Sequence, residues 1–470
     1  MLRFGTDGVR GVANAELTPE LALAVGRAAA RVLGGDRVAI GRDTRRSGPM
    51  LEAALVAGLA AEGADVVLLG VVPTPTVAWW SAREDAPAAV VSASHNPFQD
   101  NGIKLFAPGG LKLADDVEDR LEHEIERLAG GGAGAPGSGR PVPGAGGAGS
   151  GGSGAGGAGS GRPTGRDVGT VAPHDVLAGY AGAVTASLGG RRLGGLRVAV
   201  DCANGSACVV APQVLRDLGA AVEVLHARPD GTNINDGCGS THPEGLARAV
   251  VGAGADAGVA FDGDADRVLL VDGAGEVVDG DQIIALCAID RHARGTLPGD
   301  AVVVTVMSNL GFRRAMQARG IAVVETRVGD RHVLEALEER GLALGGEQSG
   351  HVIFRDLATT GDGLLTALQV LDLMVREGRP LADLAAAAMT RLPQVLRNVR
   401  MAERDPAIVD RLAGDVAAAE RRLGERGRVL VRASGTEPLV RVMAEAPTPA
   451  EAEATVDDLV RAVERLSGPA

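Results

Sequence analysis

Short β-rich runs alternate with longer helical patterns along most of the chain. Arg37 to Ile40 is followed by a helix-like stretch, Pro49 to Glu62, and then by a second apolar run, Val66 to Leu69. LRVAVD at 196–201 leads to a helical pattern near 206–218 and to AVEVL at 221–225. AVVVTV at 301–306 leads to a helix near 309–319 and to IAVVE at 321–325. Strand, helix and strand in that order, three times over, predict βαβ units with parallel or mixed sheets. The last part differs. LRNVRM at 396–401 precedes a helical stretch, RVLVR (428–432) and LVRVMAEA (439–446) follow, and a helix closes the chain. That helix opens on Thr448-Pro449-Ala450-Glu451, a capping box with proline in the first turn.

The expected fold class is therefore α/β: three α/β domains with mixed sheets and a C-terminal α+β domain. The boundaries expected from the pattern are 1–129, 170–273, 276–390 and 394–468. Residues 130–165 fall outside them, and their centre, 130–162, is almost wholly Gly, Ala, Ser and Pro. Such a composition buries too little apolar surface to offset chain entropy, so a flexible, catalytically silent insertion is expected. It holds a formal G-x-G-x-x-G at Gly132, Gly134 and Gly137. With no strand before it and no helix after it, a dinucleotide fingerprint fails on context.

Composition narrows the picture. With 470 residues the chain exceeds what one core can organise. Aromatic residues are only 2%, so the cores must be built from Ala, Val, Leu and Ile. A net charge of -13 argues against nucleic acid as a partner. It leaves room for a small anion held by local Arg and Lys. Four cysteines, Cys202, Cys208, Cys238 and Cys287, contain no CxxC pair. Neither a zinc site nor a disulfide framework is indicated, which suits reduced thiols in the cytoplasm. No signal peptide is apparent at the N-terminus, and no apolar stretch reaches the roughly 18–20 residues of a membrane helix.

Four loops carry candidate chemistry. The first, VVSASHNPFQDNGIKLF at 90–106, opens directly from the apolar run Ala88 to Val91. Ser94 stands at a strand end, where open α/β sheets bind ligands, with His95 beside it and Lys104 downstream. A polar turn held by Asn96-Pro97 and Asn101-Gly102 is the competing reading. The hydrolase elbow G-x-S-x-G is absent. The second loop, AFDGDADRV at 260–268, sets Asp262, Asp264 and Asp266 at alternate positions after a strand-like run. Three hard oxygen donors at this spacing suit Mg²⁺ with open coordination positions. Arg267 and Gly273 stand where an EF-hand needs Gly and Glu, so it is not one.

The third loop, LGGEQSGHVIF at 344–354, alternates Glu347, Ser349 and His351. In an extended segment these share one face, which suits a polyhydroxylated ligand and proton transfer; a surface turn is the alternative. The fourth, VRASGTEPLVRV at 431–442, gathers Arg432, Ser434, Thr436 and Arg441 around Gly435. Hydroxyls, guanidiniums and turn N–H groups form a plausible phosphate cradle, with a basic hairpin as the bland reading. No GxxxxGK[ST] occurs. A serine, a divalent-metal site, a hydroxyl reader and a phosphate clamp together suit phosphoryl transfer on a sugar phosphate.

FGTDGVRG at the start, SASHNP, DGDADR, GGEQSGH and RASGTEPLVRV occur in one order across nearly the whole chain. In this the chain resembles the α-D-phosphohexomutase family. FGTDGVRG, SASHNP, GGEQSGH, VGDRHV (328–333) and TTGDG (359–363) are most similar to its bacterial glucosamine-phosphate branch. The resemblance implies four domains around a central cleft and Ser94 as a phosphoserine. Asp262, Asp264 and Asp266 would hold Mg²⁺, with an oxygen on Ser94 as a further ligand. Glu347 and Ser349 would read sugar hydroxyls. Arg432, Ser434, Gly435, Thr436 and Arg441 would clamp the non-reacting phosphate. Arg10, His95, Lys104, Arg267 and His351 would line the reaction centre, Lys104 and His351 moving protons. The implied reaction interconverts glucosamine 6-phosphate and glucosamine 1-phosphate, with glucosamine 1,6-bisphosphate as intermediate and activator. A monomer or homodimer acting on a small sugar phosphate, away from membranes, is expected. Glucose and mannose phosphates stay open as substrates, and a metal-dependent sugar phosphatase or a non-catalytic sugar-phosphate sensor remain readings of another class. The Gly-rich insertion is the one departure from the family pattern.

Overall fold

A computed structural model of the chain describes residues 8–130, 162–405, 407–434 and 438–467. Most of the Gly-rich insertion, together with Gly435 and Thr436 of the fourth loop, lies outside the described residues.

Among the described residues the strands form four sheets, and their order follows the alternating pattern of the sequence. In the first, Arg37–Arg42 runs parallel to Asp65–Val71 and to Ala88–Val91, the last of which continues through antiparallel Asp100–Ala107 to Val9–Val12. The second runs Val277–Val278, Val268–Asp272, Ala257–Phe261, Arg197–Asp201, Ala221–Leu225, and the third runs Ala322–Thr326, Ala301–Thr305, Leu344–Gly346, Val352–Phe354. Both mix parallel and antiparallel pairs. The fourth is wholly antiparallel, with Leu439–Glu445 between Gln394–Arg400 and Arg428–Ala433. Three α/β units and one α+β unit are thus present.

Two details depart from the pattern. The stretch near 206–218 is a 3₁₀ turn, Ser206–Val209, followed by a short α-helix, Ala211–Asp217. Pro212 explains the restart, because proline fits a first helical turn but cannot donate within one. A strand at Val171–Pro173, inside the 170–273 stretch expected to form the second unit, pairs with Asp65–Val71 of the first sheet. The chain returns to the first unit before entering the second. At the far end, Thr448 Oγ1 accepts the Glu451 N–H at 3.2 Å and caps the Pro449–Ser467 helix.

The cores are aliphatic, as the scarcity of aromatics demands. Leu51, Leu55, Ile40, Leu17 and Leu121 fill the first. One continuous cluster runs through the second and third units, from Val198, Val200 and Phe261 to Val302, Phe312, Leu344 and Leu368. Small residues let elements approach closely. The helices Pro19–Leu33 and Gly48–Ala61 meet at Gly26 and Gly58, where an added Cβ would lie 2.3 Å from Leu55 O and from Leu23 O, respectively.

Gly58→Ala is expected to push these two helices apart and to destabilise the first unit by about 1–3 kcal/mol, as overpacking does. The check is denaturant unfolding followed by circular dichroism. A midpoint equal to wild type would show that the backbone contact carries no such cost.

Candidate active site

The serine loop and the aspartate loop each leave a fully buried strand, Ala88–Val91 and Ala257–Phe261. Four apolar residues in each strand anchor the polar loop at a sheet's carboxyl edge, where such folds bind ligands. The two edges face one another. Ser94 Oγ donates to Asp262 Oδ2 at 2.6 Å, although 168 residues separate them. Ser94 itself has φ +52°, a left-handed conformation that a side-chain-bearing residue holds only when its surroundings over-determine it.

Asp262, Asp264 and Asp266 are all buried, with one carboxylate oxygen of each within 4.8 Å of the others. Burial, and then the Asp266 and Asp264 charges, push Asp262 well above the ordinary carboxylate pKa. Asp264 goes the other way. Burial alone would raise it, but the Lys104 ammonium and the Thr74 hydroxyl hold it below the usual range. Lys104 Nζ lies 3.1 Å from Asp264 and 3.3 Å from Asp266. Thr74 Oγ1 donates to Asp264 Oδ2 at 2.7 Å, and its N–H donates to Asp264 O at 2.9 Å. Arg267 lies against the same group. Burial opposes its charge, yet Asp266 and Asp262 raise its pKa above the ordinary guanidinium value.

One test of metal binding is whether donors are left over. Asp264 Oδ1 and Asp266 Oδ1 are buried and receive no hydrogen bond. Anionic oxygens without a hydrogen bond in a buried site are costly, although Asp266 Oδ1 has Arg267 Nε 3.9 Å away. A hard divalent cation satisfies them with the ligand type it prefers, so the residues present fit such an ion.

His95 Nδ1 lies 3.4 Å from Ser94 Oγ. Burial, then the Arg267 and Arg10 charges, lower its pKa to about 4, so the ring is neutral at neutral pH. Arg10 enters from the edge strand, its Cα paired with that of Gly102. His351 is buried, its Nε2 3.5 Å from Asp330 and 4.0 Å from Asp266, and neither ring nitrogen makes a hydrogen bond.

The third loop corrects an expectation. Residues 347–350 are a turn between two strands, closed by Gly350 N–H to Glu347 O at 3.0 Å, with Gly350 at φ +92°. Glu347, Ser349 and His351 therefore do not share one face: Ser349 is exposed, Glu347 half-buried and His351 buried. Glu347 Oε1 accepts the Gly329 N–H at 3.1 Å. In the fourth loop Arg432 and Arg441 are directly paired across adjacent strands. Directly opposed residues of an antiparallel pair share a face, and like charges so placed repel; an anion between them would relieve this. Among the described residues neither arginine bonds to the aspartates.

Sequence reasoning missed Thr74, Asp330, Arg45 and Asn235, which contact Asp264, His351 and Ser94 from outside the four loops. Only Asp330 lay in a motif singled out, VGDRHV. The absence of CxxC also hid a second group: Asp201 at the end of its strand, and His226 and Cys238 from two loops, bring ligand atoms within 4.8 Å of one another. There Asp201 already accepts the N–H groups of Ala203 and Gly239. The four cysteines form no disulfide.

Comparison with known proteins shows the family. Residues 1–130, 178–275 and 279–392 match "Phosphoglucomutase/phosphomannomutase" alpha/beta/alpha domains I, II and III, and 396–462 match its C-terminal domain. The chain belongs to the phosphoglucomutase/phosphomannomutase family. Among curated members it is 53% identical over 482 residues to a phosphoglucosamine mutase of Frankia casuarinae, covering 99% of each chain. It is 51% identical to one of Moorella thermoacetica, covering 98% of this chain and 99% of that one. The crystal structure of a phosphoglucomutase/phosphomannomutase family protein from Burkholderia thailandensis superposes with a TM-score of 0.77 at 26% identity, covering 99% and 98% of the two chains. Among the described residues no helix is long and apolar enough to cross a membrane.

Asp264→Asn removes one anionic donor and weakens the hold on Lys104. Divalent-cation affinity is expected to fall at least about tenfold, ~1.4 kcal/mol, measured by calorimetric titration with Mg²⁺. An unchanged titration would remove Asp264 from the cation site.

Proposed function

We propose that the chain is a phosphoglucosamine mutase, interconverting glucosamine 6-phosphate and glucosamine 1-phosphate, and that Ser94 carries the phosphoryl group. The observation that carries this reading is the serine hydroxyl bonded to Asp262 at 2.6 Å inside a cluster of buried acids and cations. A hydroxyl aimed into such a cluster from a left-handed backbone has the placement of a group-transfer oxygen. The amino-sugar assignment rests on the curated relatives named for that activity, about half identical over nearly the full chain.

Asp262, Asp264 and Asp266 would hold Mg²⁺, with an oxygen on phosphorylated Ser94 as a further ligand. When bound, the ion neutralises charge on the phosphoryl oxygens. The chain's own residues supply the rest. Phosphorylated Ser94 gives its phosphoryl group to the free sugar hydroxyl: the bond from phosphorus to Ser94 Oγ breaks as a bond to the sugar oxygen forms. The hydroxyl proton passes to His351 Nε2, and the Lys104 ammonium gives a proton to the departing Ser94 Oγ, so both oxygens end neutral. Arg10 and Arg267 hold the phosphoryl oxygens, and neutral His95 lies beside Ser94 without adding charge. Glu347 and Ser349 read sugar hydroxyls. Arg432 and Arg441, with Ser434, Gly435 and Thr436, grip the second phosphate. The bound glucosamine 1,6-bisphosphate turns over, and its other phosphoryl group returns to Ser94 Oγ by the reverse step, so each turnover regenerates the phosphorylated enzyme. The product supplies UDP-N-acetylglucosamine for cell-wall precursors. The chain acts in the cytoplasm as a monomer or homodimer.

Ser94→Ala is expected to lower turnover by at least about 10³-fold while leaving the fold intact, since only the carrier oxygen is lost. Initial rates with Mg²⁺ and a trace of sugar bisphosphate test both parts. Wild type should prefer glucosamine 1-phosphate over the glucose and mannose 1-phosphates by at least about tenfold in kcat/KM, roughly 1.4 kcal/mol. A preference for glucose or mannose would move the enzyme to another substrate. Release of free phosphate without isomerisation would make it a phosphatase, and no turnover of any sugar a sensor.

A further inference from the structure

The serine loop is held by two residues that have no place in the reaction described above. Arg45 is 1% exposed, and its five N–H donors are directed at the loop and its base. Nε donates to Asp43 Oδ2 at 2.8 Å. Nη2 donates to Ser94 O and to Asn96 O, each at 2.8 Å, and Nη1 donates to Asp100 O at 3.1 Å and to Pro97 O. One guanidinium thus gathers four carbonyls from residues 94–100. Asp43 completes the hold. It is fully buried, accepts from Ser92 Oγ at 2.6 Å, and Ser92 Oγ in turn accepts the Ser94 N–H at 3.0 Å. Both backbone polar groups of Ser94 therefore lead back to the Asp43–Arg45 pair.

Asn235 reaches the same atoms from the second unit. Its Nδ2 donates to Ser94 O at 2.9 Å and to Asn96 O at 3.0 Å. A carbonyl oxygen has two lone pairs, and Ser94 O receives one donor from each unit. Asn235 is itself fixed, at φ +58°, by its N–H to Ala203 O at 2.9 Å.

We propose that Arg45 and Asn235 are positioning residues for phosphoryl transfer: from two different sheet units they grip Ser94 O and Asn96 O together, and so hold Ser94 in the left-handed conformation that aims its Oγ at Asp262. The inference rests on the reading of Ser94 as carrier. It adds that the nucleophile's posture is set jointly by the first and second units, since Asn235 and Asp262 both belong to the second.

Asn235 gives the sharper test, because it is one side chain outside the aliphatic cores. Asn235→Ala removes the donor, and Asn235→Asp keeps the size but turns a carboxylate toward two carbonyl oxygens. Arg45→Lys keeps the charge beside Asp43 and loses the fork. Each full-length variant is assayed for kcat and KM with glucosamine 1-phosphate, for Mg²⁺ affinity, and for melting temperature. The rate at which glucose 1,6-bisphosphate phosphorylates Ser94 is followed by intact mass. The expected result for Asn235→Ala is a fall of at least about tenfold in kcat and in the Ser94 phosphorylation rate, with KM within about twofold. Mg²⁺ affinity and melting temperature stay at wild-type values. Asn235→Asp is expected to fall further, and Arg45→Lys in the same two rates if it folds. Wild-type kcat and phosphorylation rate in Asn235→Ala overturn the inference, as does a change confined to KM or Mg²⁺ affinity. If wild-type Ser94 never takes up a phosphoryl group, the carrier reading itself fails, and this inference with it.

Discussion

Three carboxylates, Asp262, Asp264 and Asp266, are buried within reach of one another, and mutual repulsion at that spacing is the constraint around which the molecule is arranged. Several neighbours answer it. Lys104 comes from the first sheet, Thr74 from the start of the Thr74–Glu84 helix and Arg267 from the loop itself. The charges that make the loop tolerable thus come partly from another unit of the chain. The first and second units are drawn together by electrostatics in a low-dielectric cleft, where such pairs act far more strongly than in water. The oxygens left without a hydrogen bond, Asp264 Oδ1 and Asp266 Oδ1, are the ones a divalent cation would serve.

Most of the architecture was legible because it follows two periods. Ala88–Val91 is an unbroken apolar run, Ala301–Thr305 is apolar up to Thr305, and the AVEVL strand at 221–225 matches its expected bounds. Val171–Pro173 was not legible as part of the first sheet, since all three of its residues are exposed and no apolar face declares a partner. At 347–350 the alternation of Glu347, Ser349 and His351 suggests an extended segment, and the structure takes the alternative, a turn. Gly350 favours the turn. That glycine, at φ +92°, was the available signal.

The site was legible in its chemistry and hidden in its support. Ser94 and the three aspartates stand in short, unusually polar stretches at the ends of apolar runs, and a single sequence can show that. The residues that position them cannot be seen this way. Thr74 is 190 positions from Asp264, and Asn235 is 141 from Ser94. Their roles are properties of the folded contact, made by side chains common in any loop.

The aliphatic core that runs unbroken from Val200 and Phe261 through Val302 to Leu368 has a bearing on how such a chain could change over evolutionary time. The second and third units are separate sheets in topology but one body in packing. Recombination that replaced either alone would join two half-cores never fitted to each other. The fourth unit keeps a core of its own, around Val440, Val442 and Leu459. It is the segment a lineage could exchange as a module, and with it the arginine pair, while the machinery around Ser94 stayed untouched.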